Sequence, residues 1–272
     1  MRYARLLIDQ QIIPACSNDG GQSWWKIKDI PDITPDNIHN LINNNFESSL
    51  IKGELQFLSP ILKPGNILCA GLNYKSHIEE LGMSIPERPE IFMKHSGSAN
   101  DPYGDIILPK DSKKVDWEVE LGVIISKKAH NISPNKALDY ILGFVVVNDI
   151  SEREWQLEAK QWIPGKGFPT SCPFGPVIVT PDELSNYNNL RLYLKVNNQI
   201  KQDSNTLDLV FNIEELISTF SKYFELLPGD LISTGTPGGV AMSKLNDFKF
   251  LKSADIIEAG IEGIGILENR VI

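Results

Sequence analysis

Cysteine is scarce in this chain, and no two of its cysteines lie close together in the sequence. Cys16, Cys69 and Cys172 are the only three in 272 residues, and they form no C-x-x-C motif. A disulfide scaffold needs several cysteines at short spacing, and a thiolate zinc site needs paired ones. Both classes are therefore excluded, and we predict a protein of the reducing cytoplasm.

Basic residues are scarce relative to acidic ones. The chain has 26 Lys and Arg against 35 Asp and Glu, which gives a formal net charge of −9, and it has no Lys/Arg-rich run. A surface of this sign repels a phosphate backbone. Nucleic acid is therefore excluded as a partner.

Long apolar runs are missing as well. The longest strongly apolar run, residues 140–147, is much shorter than the ~20 residues that a helix needs to cross a bilayer. The N-terminus also lacks the apolar segment and small-residue cleavage site of a signal peptide. The sequence therefore predicts neither a membrane partner nor export. Apolar residues still make up 42% of the chain, which is enough for a globular core and excludes disordered classes.

Acidic residues alternate with apolar ones in residues 115–121. In an extended strand successive side chains point to opposite faces, so Asp116, Glu118 and Glu120 share one face. Like charges this close are tolerated when they are solvated, when one is protonated, or when a cation lies between them. A hard ion such as Mg²⁺ or Mn²⁺ prefers an oxygen-only ligand set of this kind. The ordinary alternative is a solvated strand face.

A third acid, Asp149, follows the longest buried-strand pattern in the chain. Residues 141–147 form a continuous rather than alternating apolar run, which is typical of a strand covered on both faces. A carboxylate at the mouth of such a strand needs a partner or a cation. We therefore predict that Asp149 joins Glu118 and Glu120 as the third ligand of a metal ion.

A short helical pattern in residues 74–81 carries a histidine and an acid. His77 and Glu80 are three positions apart, so they are neighbours on one helix face. Asn73 is placed to cap the start of this helix and Gly82 its end. A carboxylate beside an imidazole fixes its tautomer and supports its action as a base on water. The alternative is a surface histidine beside a helix-stabilising acid.

Arg153 and Gln156 follow shortly after Asp149. If residues 151–158 are helical, the two side chains share a face and could bind a carboxylate and a carbonyl of a substrate. Alternatively, Arg153 is a structural counter-ion of Glu118 or Asp149.

Two glycine-rich segments complete the candidate site. Residues 162–170 form a predicted loop that contains Lys166, and a lysine beside an anionic cluster can stabilise the charge of a developing enolate. Residues 227–240 turn into a strand that ends in hydroxyl and glycine residues, whose backbone amides can approach an anion closely. This second segment lacks the lysine and the spacing of a nucleotide P-loop.

Taken in order over residues 60–272, these motifs together resemble the fumarylacetoacetate hydrolase (FAH) family. The matching residues are Ala70-Gly71-Leu72-Asn73-Tyr74 with His77 and Glu80, Asp116-Trp117-Glu118-Val119-Glu120-Leu121, Asn148-Asp149, Lys166, Gly175-Pro176, Pro228-Gly229-Asp230 and Thr234-Gly235-Thr236-Pro237. One departure lies after Phe168, where relatives often have an acid and this chain has Pro169.

Strand-like segments at residues 3–8 and 24–27 predict a small N-terminal β-rich module in residues 1–60. For residues 61–272 the resemblance implies an α+β, β-rich fold, an FAH-type mixed β-sandwich roll. It also implies a homodimer and a cofactor, Mg²⁺ or Mn²⁺. The site residues that it implies are Glu118, Glu120 and Asp149 as metal ligands, His77, Glu80 and Lys166 as catalytic residues, and Arg153, Gln156 and Thr236 as substrate contacts.

The function expected from this resemblance is metal-dependent hydrolysis of a C–C bond in a small acylpyruvate-like keto acid. The same residues could serve an oxaloacetate-type decarboxylase or a 2-hydroxyhepta-2,4-diene-1,7-dioate-type isomerase, which the sequence does not separate. A catalytically silent protein that binds a small anion is the alternative of another class. The presence of the His77–Glu80 dyad and of all three metal ligands favours an enzyme.

Overall fold

Strands dominate the fold, as the alternating and continuous apolar runs predict. The computed structural model describes residues 1–43, 46–243 and 246–272. The strands are β1 (Arg2–Ile8), β2 (Gln11–Ser17), β3 (Trp25–Ile27), β4 (Phe46–Leu50), β5 (Gln56–Leu58), β6 (Ile67–Gly71), β7 (Glu90–Lys94), β8 (Ala99–Asn100), β9 (Val115–Asp116), β10 (Val119–Ile125), β11 (Ile141–Asn148), β12 (Ser151–Glu152), β13 (Cys172–Val179), β14 (Arg191–Val196), β15 (Gln199–Asn205), β16 (Leu231–Ser233), β17 (Ile256–Ile261) and β18 (Gly265–Arg270). The α-helices are α1 (Lys75–Leu81), α2 (Arg153–Glu158), α3 (Ile163–Lys166) and α4 (Ile213–Tyr223), and short 3-10 helices cover Ile38–Asn43, Ser96–Ser98, Pro134–Tyr140, Pro181–Glu183 and Thr206–Asp208.

The main sheet has 12 strands in the order β4-β3-β2-β1-β13-β11-β10-β16-β6-β7, with β5 paired to β1 and β8 paired to β13. It is mixed, because β16 runs parallel to β6 while β10 runs antiparallel to both β11 and β16. The N-terminal strands join this sheet through the β1–β13 pair. The strands before residue 60 are therefore continuous with those after it, and the division into two modules stays a prediction.

A second sheet of four strands, β15-β14-β17-β18, packs on the main sheet. Val123 and Val146 of the main sheet share one buried apolar cluster with Leu192 and Ile257 of the second sheet. Fully burying each side chain of this size stabilises the fold by about 1.5–3 kcal/mol. This core fixes the main sheet, on whose edge the functional side chains lie.

Four strand ends meet at one edge of the main sheet. Val119, at the start of β10, pairs with Asn148, at the end of β11. Ser233 ends β16 opposite β10, and β6 runs parallel to β16 and ends beside it. Residues that flank these strands, which include Glu118 and Asp149, are therefore brought together although they are far apart in sequence.

The predicted strand at residues 115–121 is broken into two pieces, and this corrects the expectation of one continuous face. Asp116 pairs with β12, whereas β10 begins at Val119 and pairs with β11. The break is stabilised by side chains, because Trp117 N donates to Asp116 Oδ1 (2.7 Å) and Glu118 N donates to Asn148 Oδ1 (3.0 Å). Asp116 therefore lies in a different strand from Glu120.

Helix α4 confirms a local prediction. Asn212 and Glu215 form a capping box at its N-terminus, since each side chain accepts a hydrogen bond from the backbone of the other. With 11 residues, α4 is the longest helix of the described residues, and no helix among them is long and apolar enough to cross a membrane.

One turn is unusual in its residue type. Ala254 has a φ of 75°, a left-handed conformation that favours glycine. The turn is held by the side chain of Asp255, which accepts hydrogen bonds from Lys252 N (3.0 Å) and from Asn197 Nδ2 (2.8 Å). A residue with a Cβ in this left-handed conformation has a strain energy of order 1 kcal/mol, which these hydrogen bonds offset.

Candidate active site

Three buried carboxylates converge at the sheet edge. Glu118, Glu120 and Asp149 each offer one oxygen, and these three oxygens lie within 4.8 Å of one another. The side chains are almost inaccessible to solvent, with exposures of 4%, 1% and 0%. This burial removes the ordinary alternative of a solvated strand face.

Each carboxylate has one oxygen held by a fixed buried donor. These bonds run from Arg153 Nη2 to Glu118 Oε1 (2.6 Å), from Ser233 Oγ to Glu120 Oε2 (2.5 Å) and from Lys94 Nζ to Asp149 Oδ1 (2.6 Å). Gly235 N adds a second hydrogen bond to Glu120 Oε2 (2.8 Å), so the anion that this glycine-rich segment approaches is the protein's own glutamate. The arrangement leaves one oxygen of each carboxylate for a further cation.

Lys166 contacts two of those remaining oxygens. Its ammonium donates to Glu118 Oε2 (2.6 Å) and to Asp149 Oδ2 (2.8 Å). It is 2% exposed and ends helix α3, so part of the segment that was predicted as a loop is helical. A cation thus already lies on the remaining oxygens of Glu118 and Asp149. A small hard divalent ion that takes one oxygen from each of the three acids would replace this ammonium on those two oxygens.

The buried charges shift the pKa values of the acids in opposite directions. Burial alone would raise the pKa of Glu118, but the charges of Lys166 and Arg153 outweigh it and lower that pKa to about 2. Burial raises the pKa of Glu120, and the charges of Asp149 and Glu118 add to this effect, so that the pKa reaches about 8. The metal-free site therefore holds a proton on Glu120 at neutral pH.

We expect the binding of Mg²⁺ or Mn²⁺ to release this proton, because a carboxylate ligand must be deprotonated. The apparent affinity should rise with pH, by up to about tenfold per pH unit below the Glu120 pKa, and should level off above it. Calorimetric titrations across this range, in two buffers of different ionisation enthalpy, would count the protons released. An affinity that does not change with pH would contradict a protonated Glu120.

Lys94 is a member of the site that the sequence analysis missed. Its side chain is fully buried at the end of β7, and its ammonium donates to Asp149 Oδ1 (2.6 Å) and to the carbonyl of Ile150 (3.0 Å). A buried lysine needs such partners. The available signal was a lysine at the end of an apolar strand pattern, but its partner lies 55 positions away.

The predicted dyad is formed on helix α1. His77 Nδ1 lies 2.8 Å from Glu80 Oε1, and Glu80 Oε2 accepts a hydrogen bond from Gly239 N (2.9 Å). A carboxylate at Nδ1 favours the tautomer with its proton on that nitrogen, which leaves Nε2 to accept a proton. Both side chains are largely buried, so the alternative of a surface pair is excluded.

The start of α1 is capped differently from the prediction. Ser76 N donates to Asp208 Oδ2 (3.0 Å), whereas the Asn73 amide donates to the carbonyls of Thr234 (2.7 Å) and Phe211 (3.1 Å). Asn73 therefore ties this segment to two distant parts of the chain. The predicted C-terminal cap is confirmed, because Gly82 has a φ of 66°.

Arg153 and Gln156 share one face of α2, as predicted. Arg153 is a counter-ion in this structure: it donates to Asp116 Oδ2 through Nε (2.8 Å) and to Glu118 Oε1 through Nη2 (2.6 Å). Gln156 Oε1 accepts from Arg153 Nη1 (2.9 Å). The alternative of a structural counter-ion thus describes these contacts, and a role in substrate binding stays a prediction.

One cavity of about 330 Å³ opens onto these groups. The predicted site residues that line it are His77, Glu118, Glu120, Arg153, Gln156, Lys166 and Thr236. Glu80 and Asp149 contact members of this set. Thr236 donates its hydroxyl proton to the carbonyl of Val119 (3.0 Å). Among the described residues that line the cavity, Pro169 does not occur, so this departure from the family pattern lies off the cavity wall.

Comparison with known proteins agrees with this geometry. The family model described as fumarylacetoacetate (FAA) hydrolase C-terminal matches residues 66–272. Oxaloacetate tautomerase Fahd2a, mitochondrial, of Rattus norvegicus is 43% identical over 222 residues, which cover 81% of this chain and 71% of that protein. The 2,4-didehydro-3-deoxy-L-rhamnonate hydrolase of Sphingomonas sp. (strain SKA58) is 43% identical over 223 residues, which cover 82% of this chain and 78% of that protein.

A solved structure extends the likeness to the whole chain. The fumarylacetoacetate hydrolase of the psychrophile Exiguobacterium antarcticum superimposes with a TM-score of 0.89 at 28% identity and covers 100% of this chain and 99% of that chain. The predicted β-rich FAH-type fold is therefore confirmed, and the silent alternative is set aside. The chain is an enzyme that belongs to the fumarylacetoacetate hydrolase family.

Proposed function

We propose that this enzyme hydrolyses a C–C bond in a small acylpyruvate-like acid. The observation that carries the proposal is the convergence, on one cavity, of the three buried carboxylates and the His77–Glu80 dyad. Glu118, Glu120 and Asp149 would hold the metal ion. When bound, such an ion polarises the oxygens of a keto acid and compensates enolate charge.

The ion is proposed to be Mg²⁺ or Mn²⁺. The donors are oxygens only, and each carboxylate can offer the ion one oxygen, because its other oxygen is held by Arg153, Ser233 or Lys94. In Glu118 and Asp149 the ion would take the oxygen to which Lys166 now donates. Ca²⁺ takes 6–8 oxygens and often binds both oxygens of a carboxylate, whereas Mg²⁺ is smaller and requires near-octahedral geometry, which carboxylates that each give one oxygen can satisfy. The site therefore favours the smaller ions.

The proton transfers are assigned to the dyad. His77 Nε2 accepts a proton from water, while Glu80 holds the ring and stabilises the imidazolium that forms. The hydroxide attacks the carbonyl of the acyl group, a new C–O bond forms, and the C–C bond to the pyruvate carbon breaks. The electron pair leaves as pyruvate enolate beside the ammonium of Lys166 and is then protonated, so the products are a carboxylic acid and pyruvate.

The relatives support this class of reaction. The name of the Sphingomonas relative describes hydrolysis of a 2,4-didehydro-3-deoxy sugar acid, which is a 2,4-dioxo acid and so shares the reactive group of an acylpyruvate. We infer that this chain acts on the same reactive group.

A second candidate is proton transfer without bond cleavage. The rat relative is named as an oxaloacetate tautomerase, and a base such as His77 that faces a bound keto acid is sufficient for keto–enol exchange. The alternative decarboxylase and hydroxydienoate isomerase activities would use the same residues. A cytoplasmic location and a homodimer stay predictions, and the name of the rat relative places that protein in mitochondria.

The test is the change His77→Gln, assayed with acetylpyruvate and either metal ion. We expect turnover to fall by about 10²–10⁴-fold, because the general base is removed, and we expect metal affinity to be unchanged. Pyruvate formation and metal calorimetry measure the two quantities.

His130→Gln is the matched control, because His130 is exposed. Acetylpyruvate that remains intact with the unaltered enzyme would contradict the hydrolase proposal. If oxaloacetate tautomerisation is then found and is lost in His77→Gln, the second candidate replaces it.

A further inference from the structure

The cavity is lined by charged side chains at its floor and by apolar side chains at its mouth. The carboxylates of the floor are buried, whereas Met83 and Leu157 at the mouth are 51% and 70% exposed. Most of the remaining lining is also apolar and includes Leu81, Phe92, Trp162 and Met242. Large apolar side chains gathered around an opening mark a binding surface, because they gain most when a ligand covers them.

The apolar wall begins directly beside the charged floor. Phe92 contacts both, since its ring centroid lies 4.9 Å from the Lys166 ammonium and 5.2 Å from the Trp162 ring centroid. The Trp162 ring packs so closely on Gly71 that a Cβ there would lie 2.8 Å from it. A substrate whose keto-acid head lies on the floor must therefore run its other end along fixed aromatic rings.

The cations of the described residues that line the cavity are already paired. Arg153 is held by Asp116 and Glu118, and Lys166 is held by Glu118 and Asp149. A second carboxylate at the far end of a substrate would leave water for an apolar wall without gaining a partner, which is costly. An uncharged apolar group at the far end of a substrate does not have this desolvation cost on the apolar wall.

We propose that the substrates are monoanionic acylpyruvates whose acyl group is an apolar chain, and that acids with a second carboxylate at the far end are poor substrates. This proposal rests on the proposed hydrolase function and adds its specificity. A volume of about 330 Å³ is at the lower end of cavities that hold drug-sized ligands, so it has room for a keto-acid head and a chain of several carbons.

The experiment compares kcat/KM for acetyl-, butanoyl- and hexanoylpyruvate, and for hexanoylpyruvate against its analogue with a terminal carboxylate. We expect kcat/KM to rise about fourfold for each methylene that becomes buried on the wall. The terminal carboxylate should lower it by at least about 100-fold. Initial rates of pyruvate formation provide all of these values.

Leu157→Lys is the matching variant, because its exposed position tolerates a charge while placing a cation at the mouth of the cavity. It should raise kcat/KM for the terminal carboxylate analogue and lower it for hexanoylpyruvate. Leu207→Lys, a change of a leucine that is 63% exposed and lies off the cavity, should alter neither.

The outcomes separate the two proposals. If chain length has no effect, or if the dicarboxylate analogue is cleaved as fast as hexanoylpyruvate, the specificity proposal is wrong and the hydrolase proposal stands. If none of the acylpyruvates is cleaved, the hydrolase proposal fails, and the specificity proposal fails with it.

Discussion

Glu120→Gln is expected to lower turnover by about a thousandfold while leaving the stability of the metal-free protein almost unchanged. The loss follows from removing one of three metal ligands, which weakens a source of several kcal/mol of transition-state stabilisation. The stability is preserved because burial and the charges of Asp149 and Glu118 already keep Glu120 protonated in the metal-free state. A glutamine has the same neutral charge, and its oxygen can accept from Ser233 and Gly235 as Glu120 Oε2 does. Metal calorimetry measures the loss of metal affinity, and pyruvate formation measures turnover. Thermal unfolding after chelator treatment measures the stability of the metal-free protein.

Asp149→Asn is the informative contrast to Glu120→Gln. Asp149 accepts from two buried ammonium groups, those of Lys94 and Lys166, so its neutralisation removes metal binding and also leaves buried positive charge unpaired. We therefore expect the metal-free melting temperature to fall in Asp149→Asn and not in Glu120→Gln. Equal destabilisation by both changes would contradict the protonated state of Glu120.

The charges around the site explain why one proton is retained. Four carboxylates and three basic side chains are packed together, namely Asp116, Glu118, Glu120, Asp149, Lys94, Arg153 and Lys166. With Glu120 protonated, three negative charges face three positive ones, and the buried cluster is neutral. An unbalanced charge in such a place is costly, so the free energy favours the proton on Glu120 in the metal-free site.

Local patterns in the sequence were sufficient for several parts of this site. The alternation around Glu118 and Glu120 indicated that these two carboxylates are neighbours on one face, and the continuous apolar run indicated that Asp149 follows a buried strand. The spacing of His77 and Glu80 placed the dyad on one helix face. Each of these inferences depends on a period of two residues or of one helical turn, which the backbone imposes within a short segment.

The parts that the sequence did not predict depend on partners that are distant along the chain. Lys94 and Asp149 are 55 positions apart, and Asp116 accepts from backbone amides 125 positions away. Asn73 was predicted to cap a helix, but it bonds carbonyls across the fold, and Asp208 takes its place. A residue pattern carries no information on which of several polar partners the tertiary structure will bring near.

Asp116→Asn is expected to be the most destabilising single polar change in this region. Asp116 is fully buried, and its two oxygens accept from the amides of Trp117 (2.7 Å), Ala241 (2.6 Å) and Met242 (3.1 Å) and from Arg153 Nε (2.8 Å). An asparagine would direct an amide donor at one of these donors, and it would remove one of the two carboxylates, Asp116 and Glu118, that pair with the Arg153 guanidinium. Breaking a buried pair in this way costs about 3–5 kcal/mol, which for a chain of this size lowers the melting temperature by about 10 °C.

An exposed pair of the same two residue types provides the control for Asp116→Asn. Arg191 and Asp203 form two short hydrogen bonds (2.8 and 2.7 Å), but their side chains are 55% and 40% exposed. Asp203→Asn should therefore change the melting temperature far less, since solvent screens an exposed pair. Because Arg153 also holds Glu118 Oε1, Asp116→Asn should weaken metal binding in the molecules that remain folded, and Asp203→Asn should not. A similar loss of stability in both variants, or full metal affinity in Asp116→Asn, would show that Asp116 does not position Arg153 against the carboxylate cluster.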